Sequence, residues 1–275
     1  MVLSQPIETL PRTSAITIKK LKSLGVDTYF NLLNYFPFRY EDYSIISSID
    51  KLQEGELVTI IGKVESAKND YIRRGLTLQK VKLSDNTGEI EIVWYNQPYL
   101  VKLFQKAPYL AVSGKVKNPF KKVTLEPAEY EILNAKNNNK IHTGKIIPIY
   151  PQRWGLSSRT LRDKLNFVLS NHLDNLEFLP DKIIVENNLV DESSAYKNIH
   201  FPKNLSDTSR ARERLSFDEL FTIQLSALLV RKNWQKEVVG QTFEVNKYNQ
   251  KINQFIKKLP FKLTLAQLKV TSEIL

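Results

Sequence analysis

Apolar and polar residues alternate with period two in five successive segments between Leu57 and Leu133. They are "LVTIIGKVES" (57–66), "LTLQKVKLSD" (76–85), "EIEIVWYN" (89–96), "YLAVSGKV" (109–116) and "KVTLEPAEYEIL" (122–133). Period two over such lengths predicts strands with one covered face. "DNTG" (85–88) marks a hairpin turn, because Asn and Gly tolerate the positive φ that the turn demands. Between the third and fourth segments, "QPYLVKLFQKAP" carries Leu100, Val101, Leu103 and Phe104 and predicts a short helix. Five strands with a helix after the third is the layout of an OB-fold barrel; a generic β-sandwich is the alternative. Gly62 and Gly114 fall inside strands, where tight curvature needs them.

The flanks read as helical. "TIKKLKSLGVDTYFNLLNYFP" spaces Ile18, Leu21 and Leu24, then Tyr29, Leu32, Leu33 and Phe36, at the helical period around Gly25. Asp27 or Thr28 is placed to cap the second helix, and Pro37 to end it. Such a pair is either a plain helical hairpin or a helix-hairpin-helix that grips phosphate through backbone N–H groups. "AKNNNKIHT" (135–143) reads as a linker. Beyond it, Ser157 or Ser158 caps a helix carrying Leu161, Leu165, Val168 and Leu169. The longest helical pattern, 209–236, offers Leu215, Leu220, Phe221, Ile223, Leu225, Leu228 and Leu229 as core candidates. The chain is therefore α+β: a five-stranded OB-fold β-barrel flanked by an N-terminal helical hairpin and a C-terminal, mostly helical region. The expected divisions are 1–50, 51–135, 136–258 and 259–275.

One stretch carries chemistry. In "IEIVWYNQPYL" (90–100), Ile90, Ile92 and Trp94 share a strand face, so Trp94 belongs to the core. Tyr95 then points outward, and Tyr99 follows where the helix begins. Aromatic rings in that position either cover the barrel end or stack on bases, which contributes about 1–3 kcal/mol per base whatever the sequence.

Charge names the class of partner. Forty Lys and Arg oppose twenty-nine Asp and Glu, a net charge of +11, and a polyanion is the default partner of such a protein. Lys68, Arg73 and Arg74 fall in the expected first inter-strand loop; Lys115, Lys117, Lys121 and Lys122 bracket the last hairpin. Both loops border the usual OB-fold ligand cleft, where such cations are candidates to neutralise phosphates. The bland alternative is solvated loop charge.

No catalytic or metal constellation is legible. No G-x-x-x-x-G-K-[S/T] loop occurs, and His142, His172 and His200 are scattered without metal-ligand spacing. Absent cysteines rule out disulfides and fit a reducing compartment. "VLSQPIETLPRTS" after Met1 lacks the features of a signal peptide, and no apolar run is long enough to span a bilayer. A cytoplasmic, monomeric protein without membrane contact is expected.

Several stretches resemble, in order, the N-terminal half of the RecG family of ATP-dependent helicases, which remodel branched DNA. They are "LKSLGVDTYFNLLNYFPFRYEDYS" (21–44), "IPIYPQRWGLSSRTLR" (147–162), "IHFP" (199–202), "ARERLSFDELFTIQLSALLVRK" (211–232) and "LPFKLTLAQLKVTSEIL" (259–275). The resemblance implies that the barrel is the family's wedge, a partner in branched or forked DNA, and base stacking by aromatics that map onto Tyr95 and Tyr99. It implies that Phe261 and Gln267 stand where related motors touch adenine, with ATP and Mg2+ needed only by the full-length helicase. Many relatives carry Gly-Val-Gly where this chain has Arg12, Thr13 and Ser14, which counts against a glycine-dependent phosphate grip. A free-standing OB-fold module for single-stranded nucleic acid or protein is the competing expectation.

Overall fold

The computed structural model describes residues 2–118, 123–134, 141–152, 155–173, 176–236 and 245–274. Two units divide the chain, Met1–Glu219 and Leu220–Leu275.

In the first unit, Ala15–Ser23 (α1) and Tyr29–Leu33 (α2) form the expected hairpin. The Ser14 hydroxyl caps α1 by accepting the Thr17 amide. Gly25 follows α1 at φ +78°, a left-handed position that glycine fills without steric cost. Thr28 caps α2, and Asn31 reaches back to the Thr28 amide to complete a reciprocal box. Leu21, Tyr29, Leu32 and Leu33 are buried as the spacing predicts, whereas Phe36 is exposed. The "RYED" run is a strand, Arg39–Asp42 (β1), paired with Ile146–Ile149 (β7). Helical spacing over 1–50 gives no hint of it, because the strand that pairs with it lies far downstream.

The five expected strands are Leu57–Arg73 (β2), Leu76–Ser84 (β3), Glu89–Tyr95 (β4), Tyr109–Lys117 (β5) and Thr124–Leu133 (β6), with Tyr99–Phe104 (α3) between β4 and β5. All pairs are antiparallel, in the order β4-β3-β2-β5-β6. The sheet does not close into the expected barrel: β4 and β6 are its edges, and among the described residues no backbone ladder joins them. They meet through a side chain instead, Thr124 Oγ1 donating to Glu91 O at 2.7 Å. Alternation counts strands; whether the outermost two reach hydrogen-bonding distance depends on tilt and stagger, which alternation does not encode. The sheet's inner face buries Val58, Ile60, Val81, Leu83, Ile90, Ile92 and Trp94 against Leu100, Val101 and Phe104 of α3. At Gly114 the strands approach so closely that a Cβ would lie 2.2 Å from Glu126 O, beside a bulge in the β5–β6 register.

The first strand is longer than its apolar alternation. β2 continues through "AKNDYIR", paired with β3 to Arg73↔Leu76. Lys68 and Arg73 therefore lie in a projecting two-stranded hairpin rather than in a loop, and Arg74 lies in its turn with Gly75 at φ +83°. Ala67 still reaches the core and Gln79 is buried opposite Asn69, but from Tyr71 onward β2 is exposed, so little selects for apolar alternation at the tip.

Ser158–Asn171 (α4), capped by Ser157, buries Leu161, Leu165, Val168 and Leu169 in the same core as α1 and α2. Asp181–Glu186 (α5), Glu192–His200 (α6) and Leu205–Lys236 (α7) follow. His200 is fully buried. Its ring bonds to Leu33 O (2.7 Å) and Tyr150 Oη (2.9 Å), and burial holds the imidazole down at about 4, hence neutral.

A buried charge cluster lies between α6 and α7. Arg214 is fully buried and donates to Glu177, Asp218 and Val190 O. Glu192 lies beside it, and its Oε2 is buried without a hydrogen bond. Burial first, then the charge of Asp218, pushes this carboxyl from 4.5 up to about 7. The folded state then holds the Glu192 proton more tightly than the unfolded chain does. Stability attributable to this group falls as pH rises from 4.5 to about 7 and stays low above it. Glu192→Gln is expected to stabilise the chain by about 1–2 kcal/mol at pH 8 and to change little at pH 4.5. Urea unfolding at the two pH values checks this; an equal effect at both would refute it.

Leu215 packs on the first unit's core, but Leu220, Ile223, Leu225, Leu228 and Leu229 of α7 are exposed, contrary to the expectation that they are core. Helical spacing shows which residues can be covered, not that the covering surface lies in the same chain. The second unit also holds Val245–Lys257 (α8) and Leu265–Ile274 (α9). Among the described residues no helix is long and apolar enough to cross a membrane.

Candidate nucleic-acid interface

β4 ends on the residues that carry the stacking expectation. Trp94 is 5% exposed and packs on Phe104 and Tyr130, while Tyr95 and Tyr99 are each 62% exposed. Alternation explains the first two: Trp94 follows Ile90 and Ile92 inward, and Tyr95 follows Val93 outward. Tyr99 opens α3, whose apolar residues Leu100, Val101 and Phe104 turn inward.

The bend between the two tyrosines is held by groups whose role the sequence reading missed. Asn96 has a positive φ of 54°, which turns the chain out of β4. Its amide donates to Thr77 O (2.8 Å), and its side-chain Oδ1 accepts the Thr77 amide (2.9 Å). Gln79 is fully buried on β3; its Oε1 accepts the Gln97 amide (2.7 Å), and its Nε2 donates to Asn69 Oδ1 (3.1 Å). Gln97 Oε1 in turn accepts the Tyr99 hydroxyl (3.0 Å). A glutamine between Thr77 and Val81, on the core face of an apolar strand, was the legible signal. A buried amide needs partners, and these partners fix the bend.

Tyr95 also lines an open cleft of about 550 Å³ with Val93, Lys117, Asn118, Glu54 and Glu126. Its charge is mixed: Lys117 pairs with Glu126 at 3.4 Å. Lys115 is exposed on β5 beside Leu57, the first residue of β2, whereas Arg73 is the last. The two basic groups thus stand at opposite ends of β2. Lys121 and Lys122 lie outside the described residues. Among the described residues Lys68, Arg73, Arg74 and Lys115 form no salt bridge, so their charge is available to a ligand. Asp70, between Lys68 and Arg73, is engaged by Lys80 at 2.6 Å, a hydrogen bond that raises the lysine above its usual range.

The two residues expected to meet a nucleotide lie in the second unit. Phe261 is exposed, and Gln267 accepts the Thr264 amide through Oε1 (2.9 Å), capping α9. Neither supplies a phosphate-binding group, and among the described residues no cluster of His, Asp or Glu is arranged to hold a metal. Phe261 and Gln267 by themselves do not fit ATP and Mg2+.

A family model described as the RecG wedge domain matches residues 12–171. The chain belongs to the RecG wedge family. Among similar RecG proteins, that of Synechocystis is 32% identical over 99% of this chain and 34% of its own length. The RecG of Thermotoga maritima is 34% identical over 93% of the chain and 32% of its own length. The chain thus spans about a third of these curated relatives. The solved structure of RecG bound to a three-way DNA junction matches the whole chain with a TM-score of 0.68 at 31% identity, over 37% of that RecG. The family likeness extends over both the five-stranded sheet and the flanking helices, so the two exposed tyrosines stand within the part that is alike.

Proposed function

We propose that this chain is the branched- or forked-DNA-binding wedge region of a RecG-like ATP-dependent helicase that remodels stalled forks and junctions in recombination and repair. One observation carries the reading: two exposed tyrosines, Tyr95 and Tyr99, flank a bend that the buried Gln79 and the exposed Asn96 hold fixed. Rings that fill a core would be covered, and rings on a floppy loop would lose entropy on stacking; these do neither. The family match and its junction-bound relative supply the partner class.

In the mechanism we propose, the sheet is a curled OB-fold that obstructs the paired path of DNA. Tyr95 and Tyr99 cap bases exposed where strands part, so that parting loses less stacking energy. Lys68, Arg73, Arg74 and Lys115 hold phosphates, joined by Lys117, Lys121 and Lys122 where these reach the backbone. The helical region 1–50 and the connecting region 136–258 would carry the wedge (51–135), with 259–275 opening the motor. The ATP- and Mg2+-dependent work belongs to the complete helicase, acting as a monomer in the bacterial cytoplasm, at the nucleoid.

Fluorescence anisotropy with fork, duplex and single-stranded DNA at 50 and 200 mM salt tests the reading. The fork is expected to bind most tightly. With about four phosphate contacts, affinity is expected to fall roughly a hundred-fold between the two salt concentrations. Equal affinity for the fork and for single strands would favour the free-standing OB-fold module instead, and no binding to any of the three DNAs at 50 mM salt would refute the junction-binding reading.

A further inference from the structure

The projecting end of the β2–β3 hairpin carries two apolar side chains left exposed by the described residues: Tyr71 is 83% exposed and Ile72 56%. They are not loop residues by accident of sequence. Tyr71 is paired with Thr77 inside the ladder, and Ile72 is the extra residue where the register shifts before Arg73↔Leu76. A bulge at that point re-aims a side chain and strengthens the local twist. The turn that follows is only Arg74-Gly75, so the tip is short and its ring is carried on hydrogen-bonded backbone.

We propose that this tip is a second base-contacting element, in which Tyr71 stacks on a nucleobase of the other parted strand while Arg73 and Arg74 hold that strand's phosphates. The inference rests on the junction-binding reading above and adds a second contact to it. Chemistry favours a nucleic acid as the occupant. An exposed tyrosine between cations is attractive to a ligand that is flat and anionic at once, and Arg73 and Arg74 have no carboxylate partner among the described residues. The single acid of the tip, Asp70, is already engaged by Lys80. An acidic protein surface would pair with the arginines but would have no use for the exposed ring.

The register places this tip at the same end of the sheet as the first pair of tyrosines. Leu78 pairs with Asp70 on one side and with Tyr95 on the other; Thr77 pairs with Tyr71 and bonds to Asn96. Two strand spacings, about 10 Å, separate the Tyr71 backbone from that of Asn96. That is about three stacked nucleotides along one strand, too far for all three rings to serve one base. It suits two strands that have just separated. Asn69, two residues before Tyr71, is bonded to the same Gln79 that holds Gln97 (3.1 and 2.7 Å), so one buried amide fixes both elements.

The test uses the 275-residue chain with two one-armed forks, each bearing an unpaired arm on a different strand. Tyr71→Ala is expected to weaken binding of one fork about ten-fold and leave the other within two-fold. Tyr95→Ala with Tyr99→Ala is expected to weaken the opposite fork. Tyr71→Phe keeps the ring and should bind as wild type. Unchanged thermal melting of Tyr71→Ala would show that the fold is intact, as its exposure implies. No effect on either fork, or the same fork affected by both sets of changes, overturns the second-strand contact. If the wild-type chain itself does not prefer forks to duplex, the junction-binding reading fails, a result distinct from either of these.

Discussion

Replacing Tyr95 and Tyr99 together by alanine is expected to cost at least about 2 kcal/mol of fork-binding free energy, a loss of about thirty-fold in affinity. The loss should be largest for substrates that present unpaired bases at a branch, since phosphate contacts are untouched. Duplex binding, which rests on phosphates alone, should change by less than two-fold, so the preference for fork over duplex should collapse. The salt slope should stay as in the wild type, because no cation is removed. Both rings are more than half exposed, and neither lies in the sheet's core. The double variant should therefore melt at the wild-type temperature. Anisotropy titrations on both substrates check the outcome. An unchanged fork-over-duplex ratio would remove base stacking from the mechanism and leave only electrostatic binding.

A companion substitution separates ring chemistry from ring placement. Gln79 touches no ligand in this scheme; it holds the Gln97 amide and Asn69. Losing it would free the bend while leaving both tyrosines present, so its effect on binding reports placement alone.

Much of the sheet and of the first helices was legible because one covered face imposes a period. Trp94 inward and Tyr95 outward follow from alternation alone, and Thr28 and Ser157 announce helix starts through hydrogen bonds made within three residues. What failed to show shares one cause: the determinant was not local. The β1 "RYED" strand exists because residues 146–149 pair with it. The tip of the β2–β3 hairpin, from Tyr71 on, is held by cross-strand bonds while its side chains are exposed, so its sequence is free to look like a loop. The seven-position apolar pattern on α7 is real, but a pattern does not say where its cover comes from. In the site, the ring positions were readable and their support was not. Gln79 looks like an interruption in an apolar strand until its partners at 69 and 97 are known.

One fully buried cation joins α4 to the sheet and to β7, and removing it should be among the more damaging single changes outside the hydrophobic cores. Arg162 of α4 is fully buried, donating Nε to His142 Nδ1 (3.1 Å) and Nη1 to Pro148 O (3.2 Å), with Nη2 paired to Glu129 of β6. His142 meets Asp163 through Nε2 at 3.0 Å, and Arg159 lies over the Tyr130 ring at 4.7 Å while donating to Tyr130 O at 2.8 Å. One helix thereby grips the last strand of the sheet and β7 together. Arg162→Met is expected to destabilise the chain by about 3 kcal/mol, because it removes the buried partner of the Glu129 carboxylate and leaves it only the longer, partly exposed pairing with Arg159 at 3.4 Å. That is a large share of a typical folding free energy of about 5–15 kcal/mol. Adding Glu129→Gln should recover part of the loss, since the stranded charge is then gone, and the two changes should be non-additive in urea unfolding. Additive losses would mean that the pair is not the joint between α4 and the sheet. A chain that still folds with Arg162→Met but has loosened at that joint should keep near-normal duplex affinity and lose fork preference, because phosphate contacts tolerate a shifted wedge and stacked bases do not.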